Sequence, residues 1–402
     1  MKKAHIYTFG CKVNQYETQL LREDLEKKGY DCSGTIESAD LVLINSCTVT
    51  AEADRQCRQL IRQVIKKNPG TRIVVTGCYA VRASEELRRL SPSVEILANK
   101  KTSFADKKER ASSIAGFSGH TRAFIKVQDG CDAKCSYCIV PSVRPELWSR
   151  PWDEVISEIA HLAEGGCPEI VLTGIRLGRY SGGLVPLLKR ILSIPGEFQV
   201  RLSSLEIKEI SDDLVEFMRE NPQRLCAHLH IPLQSGSDAI LKLMKRPYTA
   251  GELQQRINSI YQALPDVGIT TDVIVGFPGE TEENFCETYS FIEKNSFSKL
   301  HVFPYSSRPG TPALALPGKV EQSVIRQRSQ RLRDLDVRLQ EKFWRKLIGK
   351  CRPAILEGKR NSILTDNYLR LPLRGPLPAV SSTPFTILVQ EDGGKPIALM
   401  QR

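Results

Sequence analysis

Gly130-Cys131-Asp132-Ala133-Lys134-Cys135-Ser136-Tyr137-Cys138 sets three cysteines on one glycine-led loop, separated by three residues and then by two. Iron–sulfur clusters are held by cysteine thiolates, usually four of them. A compact group of three therefore ligates three irons of a cubane and leaves the fourth open, where a substrate can bind and react. Zinc is the alternative, because a Cys-x-x-Cys pair by itself suggests zinc as readily as iron.

The loop follows an apolar run at 123–127, the first of six strand-like segments; the others are 169–172, 199–202, 228–232, 271–275 and 299–302. Helical patterns at 153–163, 184–192, 212–220, 239–242, 250–264 and 282–295 fill the gaps. Six such units are too few for a closed eight-stranded barrel, so a partial (β/α)6 barrel open on one side is expected. Barrel chemistry gathers at the carboxyl ends of the strands, where the cysteine loop falls.

Upstream, strand-like runs at 4–9, 41–45 and 72–76 alternate with helical patterns at 16–28, 51–67 and 83–90. This predicts a doubly wound parallel sheet, whose reactive groups collect beyond the carboxyl ends of its strands. Cys11, Cys47 and Cys78 each follow one of these strands, so three thiols from separate segments are expected to converge on one edge. Cys57 falls mid-helix, and Cys32, Cys167, Cys226, Cys286 and Cys351 lack partners at ligand spacing; these six read as structural.

With 402 residues, 41% hydrophobic and 26% charged, the chain has a full-sized core and fits no disorder class. It has no signal-like apolar region at its start and no run long enough to span a bilayer, so a cytoplasmic location is expected, where twelve cysteines are not a disulfide framework. The net charge is +11, and residues 319–402 carry 17 Lys/Arg against 8 Asp/Glu, the footprint of a nucleic-acid partner. Arg326, Arg328, Arg331, Arg333 and Arg338 read equally as a solvated helix face. Residues 100–121 are polar and read as a linker; 320–347 reads as a long amphipathic helix; runs at 353–357, 368–372 and 386–390 read as a small all-β barrel.

The run from Gly130 to Pro141 resembles the cluster loop of the radical S-adenosylmethionine (SAM) methylthiotransferases. Phe9-Gly10-Cys11-Lys12-Val13-Asn14, Asn45-Ser46-Cys47-Thr48-Val49-Thr50 and Thr76-Gly77-Cys78-Tyr79-Ala80 resemble the family's N-terminal domain. His228-Leu229-His230-Ile231-Pro232-Leu233-Gln234-Ser235-Gly236-Ser237 and Asp272 through Thr281 continue the likeness, and motifs of this kind run from Phe9 to Ala313.

The resemblance implies an α/β multidomain enzyme with an N-terminal domain over 1–100, a linker over 101–121, a radical SAM core with trailing helix over 122–342, and a TRAM-like RNA-binding β domain over 343–402. It implies two [4Fe-4S] clusters, one on Cys131, Cys135 and Cys138, where SAM chelates the open iron, and an auxiliary one on Cys11, Cys47 and Cys78. SAM contacts are implied for Tyr137, Thr173, Gly174, Ser204, Glu206, Gln234, Ser235 and Gly276, and for Arg144. His228 and His230 read as core histidines rather than ligands, and Glu280 with Thr281 as a helix cap. The family forms a 5′-deoxyadenosyl radical, replaces an unreactive C–H by sulfur and methylates that sulfur with a second SAM. An external electron donor and a sulfur source are implied.

Where the family shows Arg-Gly and a second arginine, this chain has Arg144-Pro145-Glu146-Leu147-Trp148, so the loop is expected to run differently, with Trp148 offering a stacking face or filling a gap. Tyr16-Glu17-Thr18 is similar to the branch acting on N(6)-threonylcarbamoyladenosine beside the tRNA anticodon. The branches acting on isopentenyladenosine or on a ribosomal-protein aspartate usually show Asp-Ser-Glu there. A metal-stapled, non-catalytic RNA-binding module is the alternative outside the enzyme class.

Overall fold

Leu41–Ser46 is buried at every position, as a strand covered on both faces requires. In the computed structural model, which describes residues 1–97, 113–357, 362–375 and 383–401, this strand (β3) lies at the centre of a five-stranded parallel sheet. The other strands are β1 (Lys2–Thr8), β2 (Tyr30–Asp31), β4 (Arg72–Gly77) and β5 (Val94–Leu97), in the order β2-β1-β3-β4-β5. Helices α1 (Lys12–Lys27), α2 (Ala51–Lys67) and α3 (Cys78–Arg82) each follow one of the three central strands. β2 and β5 were not expected from sequence: both are short edge strands with weak patterns. The register sets Asn45 opposite Thr8 and Gly77 opposite Ser46, so all three strands end level.

The next unit holds β6 (Arg122–Asp129), β7 (Trp148–Ser149), β8 (Glu169–Gly174) and β9 (Gln199–Leu202) in one sheet, ordered β7-β6-β8-β9. β10 (His228–His230), β11 (Gly268–Val275) and β12 (Lys299–Pro304) form a second. Apart from β7, which runs antiparallel to β6, all neighbours are parallel, and bridges Val200–Leu225 and Ser204–His230 join the two sheets. The six expected strands are all present.

The helix Gln322–Arg345 carries Ile325, Leu332, Leu335 and Leu339 into the core of this unit. Beyond it, β13 (Cys351–Leu356), β14 (Ser362–Thr365), β15 (Arg370–Arg374), β16 (Phe385–Asp392) and β17 (Lys395–Met400) close a barrel around Ile363, Ile387 and Ala398, with Phe343 and Leu347 packed in its core. β14 and β17 are strands that the sequence pattern did not mark. The barrel docks on the amino ends of the core strands: Arg201 donates to the carbonyls of Asp366 (2.8 Å) and Thr365 (3.1 Å), and His228 stacks on Tyr368 at 4.4 Å. The opposite, carboxyl ends stay free for chemistry.

Residues 101–112 of the expected linker lie outside the described residues; within the mostly exposed 113–121, Ile114 is buried with its N–H donating to Glu158, and the Ala115 N–H donates to Glu23 on α1. Of the five arginines on the long helix, Arg328 is buried against Glu280 and Glu282, Arg331 pairs with Glu282, and Arg338 with Glu293. Those three are committed within the chain. Among the described residues, no helix is long and apolar enough to cross a membrane.

Candidate functional site

Gly130 starts the cysteine loop at φ +82°, and a Cβ there would stand 1.8 Å from the Glu146 carbonyl oxygen. Only glycine lets the 144–148 segment cross this close. The loop is pinned by the Cys131 N–H donating to the Arg144 carbonyl (3.0 Å), the Ser136 N–H to the Met244 carbonyl (3.0 Å), and the Ala313 N–H to the Ser136 carbonyl (2.8 Å). Trp148 does not fill a gap: it is 44% exposed on β7, with the Lys126 ammonium 5.8 Å from its ring.

Cys131, Cys135 and Cys138 line a cavity of about 190 Å³ with Tyr137, Ser204, Glu206 and Gln234, all expected, and with Arg176, Glu209 and Arg246, which were not. Arg246 donates to Cys135 Sγ (3.3 Å), to Tyr248 Oη (2.8 Å) and to Glu206. Glu209 is held by Arg176 at 2.6 Å. Both carboxylates of the cavity are thus engaged by arginines, and three thiols remain as the donor set, the complement of a cubane with one open iron. Burial raises the Cys131 thiol and pushes Cys138 up to about 12, so iron loading must displace protons.

The remaining expected contacts lie elsewhere. Ser235 is buried and bonded to Thr288 (3.0 Å), away from the cavity. Gly276 turns at φ +77°, and a Cβ there would stand 2.3 Å from the Ile325 side chain of the long helix, so that side of the turn meets protein. Glu280 does not cap; it accepts from the Gly276 N–H (2.8 Å), while Thr281 caps the next helix with Asn284. Thr173 is buried, and Gly174 packs against Gln128. His228 and His230 both bond Thr270, as core histidines do.

The second trio gathers at the carboxyl edge of the first sheet. A Cβ at Gly10 would stand 2.9 Å from Cys47 Sγ, which brings the Cys11 and Cys47 turns together. Gly77, at φ +90°, would clash with the Ser46 carbonyl at 2.2 Å, so the turns bearing Cys47 and Cys78 touch as well. Cys11 is exposed, while Cys47 and Cys78 are buried; burial pushes the Cys47 thiol up to about 11.

Arg144 joins the two sites. Its backbone carbonyl holds Cys131, and its guanidinium donates to Cys78 Sγ (3.4 Å), Asn14 Oδ1 (3.0 Å), Glu17 (2.9 Å) and Asp129 (2.6 Å). Burial opposes the charge on Asp129, but Lys126 and Arg144 hold its carboxyl below the ordinary value. A second latch uses Arg308, bonded to Asp54 and to Thr48 Oγ1 (2.9 Å), with Arg82 of α3 on the same two residues. These pairings could not be read from spacing: Arg144 reaches Glu17 across 127 residues and Arg308 reaches Thr48 across 260. Among the described residues, no three His, Cys, Asp or Glu side chains converge on a position for a single ion.

Residues 3–99 match the family described as "Uncharacterized protein family UPF0004", and residues 125–292 match the "Radical SAM superfamily". Threonylcarbamoyladenosine tRNA methylthiotransferase MtaB of Bacillus subtilis (strain 168) is 37% identical over 412 residues, covering 93% of this chain and 91% of the relative. The chain belongs to the radical SAM methylthiotransferases. Within that family, tRNA-2-methylthio-N(6)-dimethylallyladenosine synthase of Yersinia pseudotuberculosis is 34% identical over 394 residues, covering 89% of this chain and 82% of the relative. The radical S-adenosylmethionine methyltransferase TsrM from Kitasatospora setae, solved with cobalamin and a [4Fe-4S] cluster, shares the fold with a TM-score of 0.54 at 13% identity over 78% of this chain and 77% of that one. As a radical SAM methylthiotransferase, this protein uses two [4Fe-4S] clusters and SAM.

Proposed function

We propose that this protein converts N(6)-threonylcarbamoyladenosine next to the anticodon of tRNA to its 2-methylthio derivative. The observation that carries the reading is the pair of cysteine trios held on opposite sides of one buried arginine, Arg144. The relatives named for this nucleoside, in Bacillus subtilis and Thermotoga maritima, are each 37% identical to it. Cys131, Cys135 and Cys138 would hold the cluster beside which SAM binds, and Cys11, Cys47 and Cys78 would hold the auxiliary cluster. Bound there, the two clusters and SAM supply the radical, the sulfur and the methyl group.

The chain's own residues do the positioning. Tyr137, Ser204, Glu206 and Gln234 line the space beside the first trio. Arg246 directs an N–H at Cys135 Sγ, and Arg144 directs one at Cys78 Sγ; each fixes the position of its sulfur. The two sheets of the core form the wall of a partial (β/α)6 barrel, and the C-terminal barrel, TRAM-like in position, serves tRNA binding. The domain divisions are 1–100, 122–342 and 343–402, and the protein acts in the cytoplasm with an external electron donor and a sulfur source.

The test is anaerobic reconstitution followed by incubation with SAM, reductant and tRNA lacking the methylthio group, then nucleoside mass analysis. A methylthio product on threonylcarbamoyladenosine is expected. Product on isopentenyladenosine alone would move the chain to the branch of the Yersinia relative.

A further inference from the structure

Around both trios, nearly every cation is committed to a carboxylate: Lys126 and Arg144 to Glu17 and Asp129, Arg246 to Glu206, Arg176 to Glu209, Arg308 and Arg82 to Asp54. Lys12 differs. It is half-buried, directly after Cys11, and makes no ion pair or hydrogen bond among the described residues. It is also the first residue of α1, whose first turn contains no acidic group. The helix dipole favours an anion there and disfavours a cation, so a lone ammonium at that position is a site prepared for negative charge.

Further along α1, Glu17 accepts from Lys126 of β6 (3.1 Å), which seats the start of the helix beside the core sheet. There the Lys12 charge adds to the His230 contact that holds the Asp272 carboxyl below its ordinary value against burial. Asp272 lies opposite His301 in register, and two residues further along the strands Ile274 lies opposite Phe303, which is 45% exposed. Side chains two apart share a face, so a polar level and an apolar level stand about 6–7 Å apart on that face, the apolar one nearer the carboxyl edge. Asp272 accepts from His230 at 3.1 Å and keeps its second oxygen for another donor, while the His301 ring has no hydrogen bond among the described residues.

We infer that Lys12 is the anchor for the carboxylate of the N(6) substituent on the target adenosine, with the base on Phe303 and with Asp272 and His301 facing the substituent's hydroxyl and urea groups. This rests on the substrate reading above and names the part of the site that selects it. A dimethylallyl group would leave the Lys12 ammonium and the second oxygen of Asp272 covered without a partner, which is how a polar subsite rejects an apolar substituent.

The test uses an anticodon stem-loop RNA carrying threonylcarbamoyladenosine, and the same RNA with that carboxylate as its methyl ester, against wild type, Lys12→Gln and Lys12→Arg. Iron content confirms that each variant carries its clusters, and RNA Kd is measured beside kcat/KM. Wild type is expected to prefer the free acid by about 10- to 100-fold. Lys12→Gln is expected to lose that preference, chiefly through Kd and KM, and Lys12→Arg to restore part of it. An unchanged preference in Lys12→Gln overturns the anchor while leaving the substrate reading intact. A wild type inactive on the free-acid RNA overturns both.

Discussion

The two cysteine trios reach a similar end by opposite routes. Cys131, Cys135 and Cys138 sit within eight consecutive residues on a loop that one glycine allows to fold. Cys11, Cys47 and Cys78 come from three strand ends and meet only because β1, β3 and β4 are adjacent and level. Each trio receives one arginine N–H on sulfur, from Arg246 and Arg144 respectively, but only Arg144 also grips the other trio's loop. A local site is thus specified by a motif and a distributed site by a sheet, and damage should spread accordingly.

The largest effect is expected from the local trio. Cys131→Ala should abolish reductant-dependent 5′-deoxyadenosine, read by chromatography of the quenched reaction, while leaving iron at the strand-end trio. Arg144→Gln comes next. It leaves Glu17 and Asp129 short of a buried partner, a loss of about 3–5 kcal/mol in urea unfolding, and should lower iron content at both trios. Arg246→Gln should disturb only the SAM-cleaving site. If the two arginine variants behave alike, the asymmetry between the trios is wrong.

Glycine replacements follow. Gly130→Ala and Gly77→Ala each force an unfavourable positive φ and a backbone clash, at least about 1–3 kcal/mol apiece. The first should weaken SAM cleavage, the second only iron loading at the strand ends. The smallest effect concerns pH in the iron-free protein. Burial pushes Cys47 up to about 11 and Cys57 and Cys138 up to about 12. Between the ordinary thiol value near 9 and those values, the folded chain keeps protons that the unfolded chain releases, so stability should fall as pH rises above about 9. Cys57→Ala should remove part of that slope, checked by urea titrations at several pH values.

Much of this was legible in the sequence for physical reasons. Alternation of strand and helix located the six core strands and the three that carry Cys11, Cys47 and Cys78, because buried parallel strands leave uninterrupted apolar runs. Short edge strands such as Tyr30–Asp31 carry too little pattern to be seen. Side-chain destinations were less legible: Gly276 accommodates Ile325, Ser235 turns to Thr288, and Arg144 reaches the strand-end trio, each decided by a partner far along the chain. Arg246 carried no local signal, since its sulfur partner lies 111 residues away.

The most direct measurement is made on the variant with Cys11, Cys47 and Cys78 all replaced by alanine, reconstituted anaerobically and assayed for iron, 5′-deoxyadenosine and methylthio nucleoside together. Two independent trios require about four irons instead of about eight, SAM cleavage retained, and no methylthio product. A variant that still binds about eight irons, or that still forms the methylthio nucleoside, would contradict the assignment of the strand-end trio.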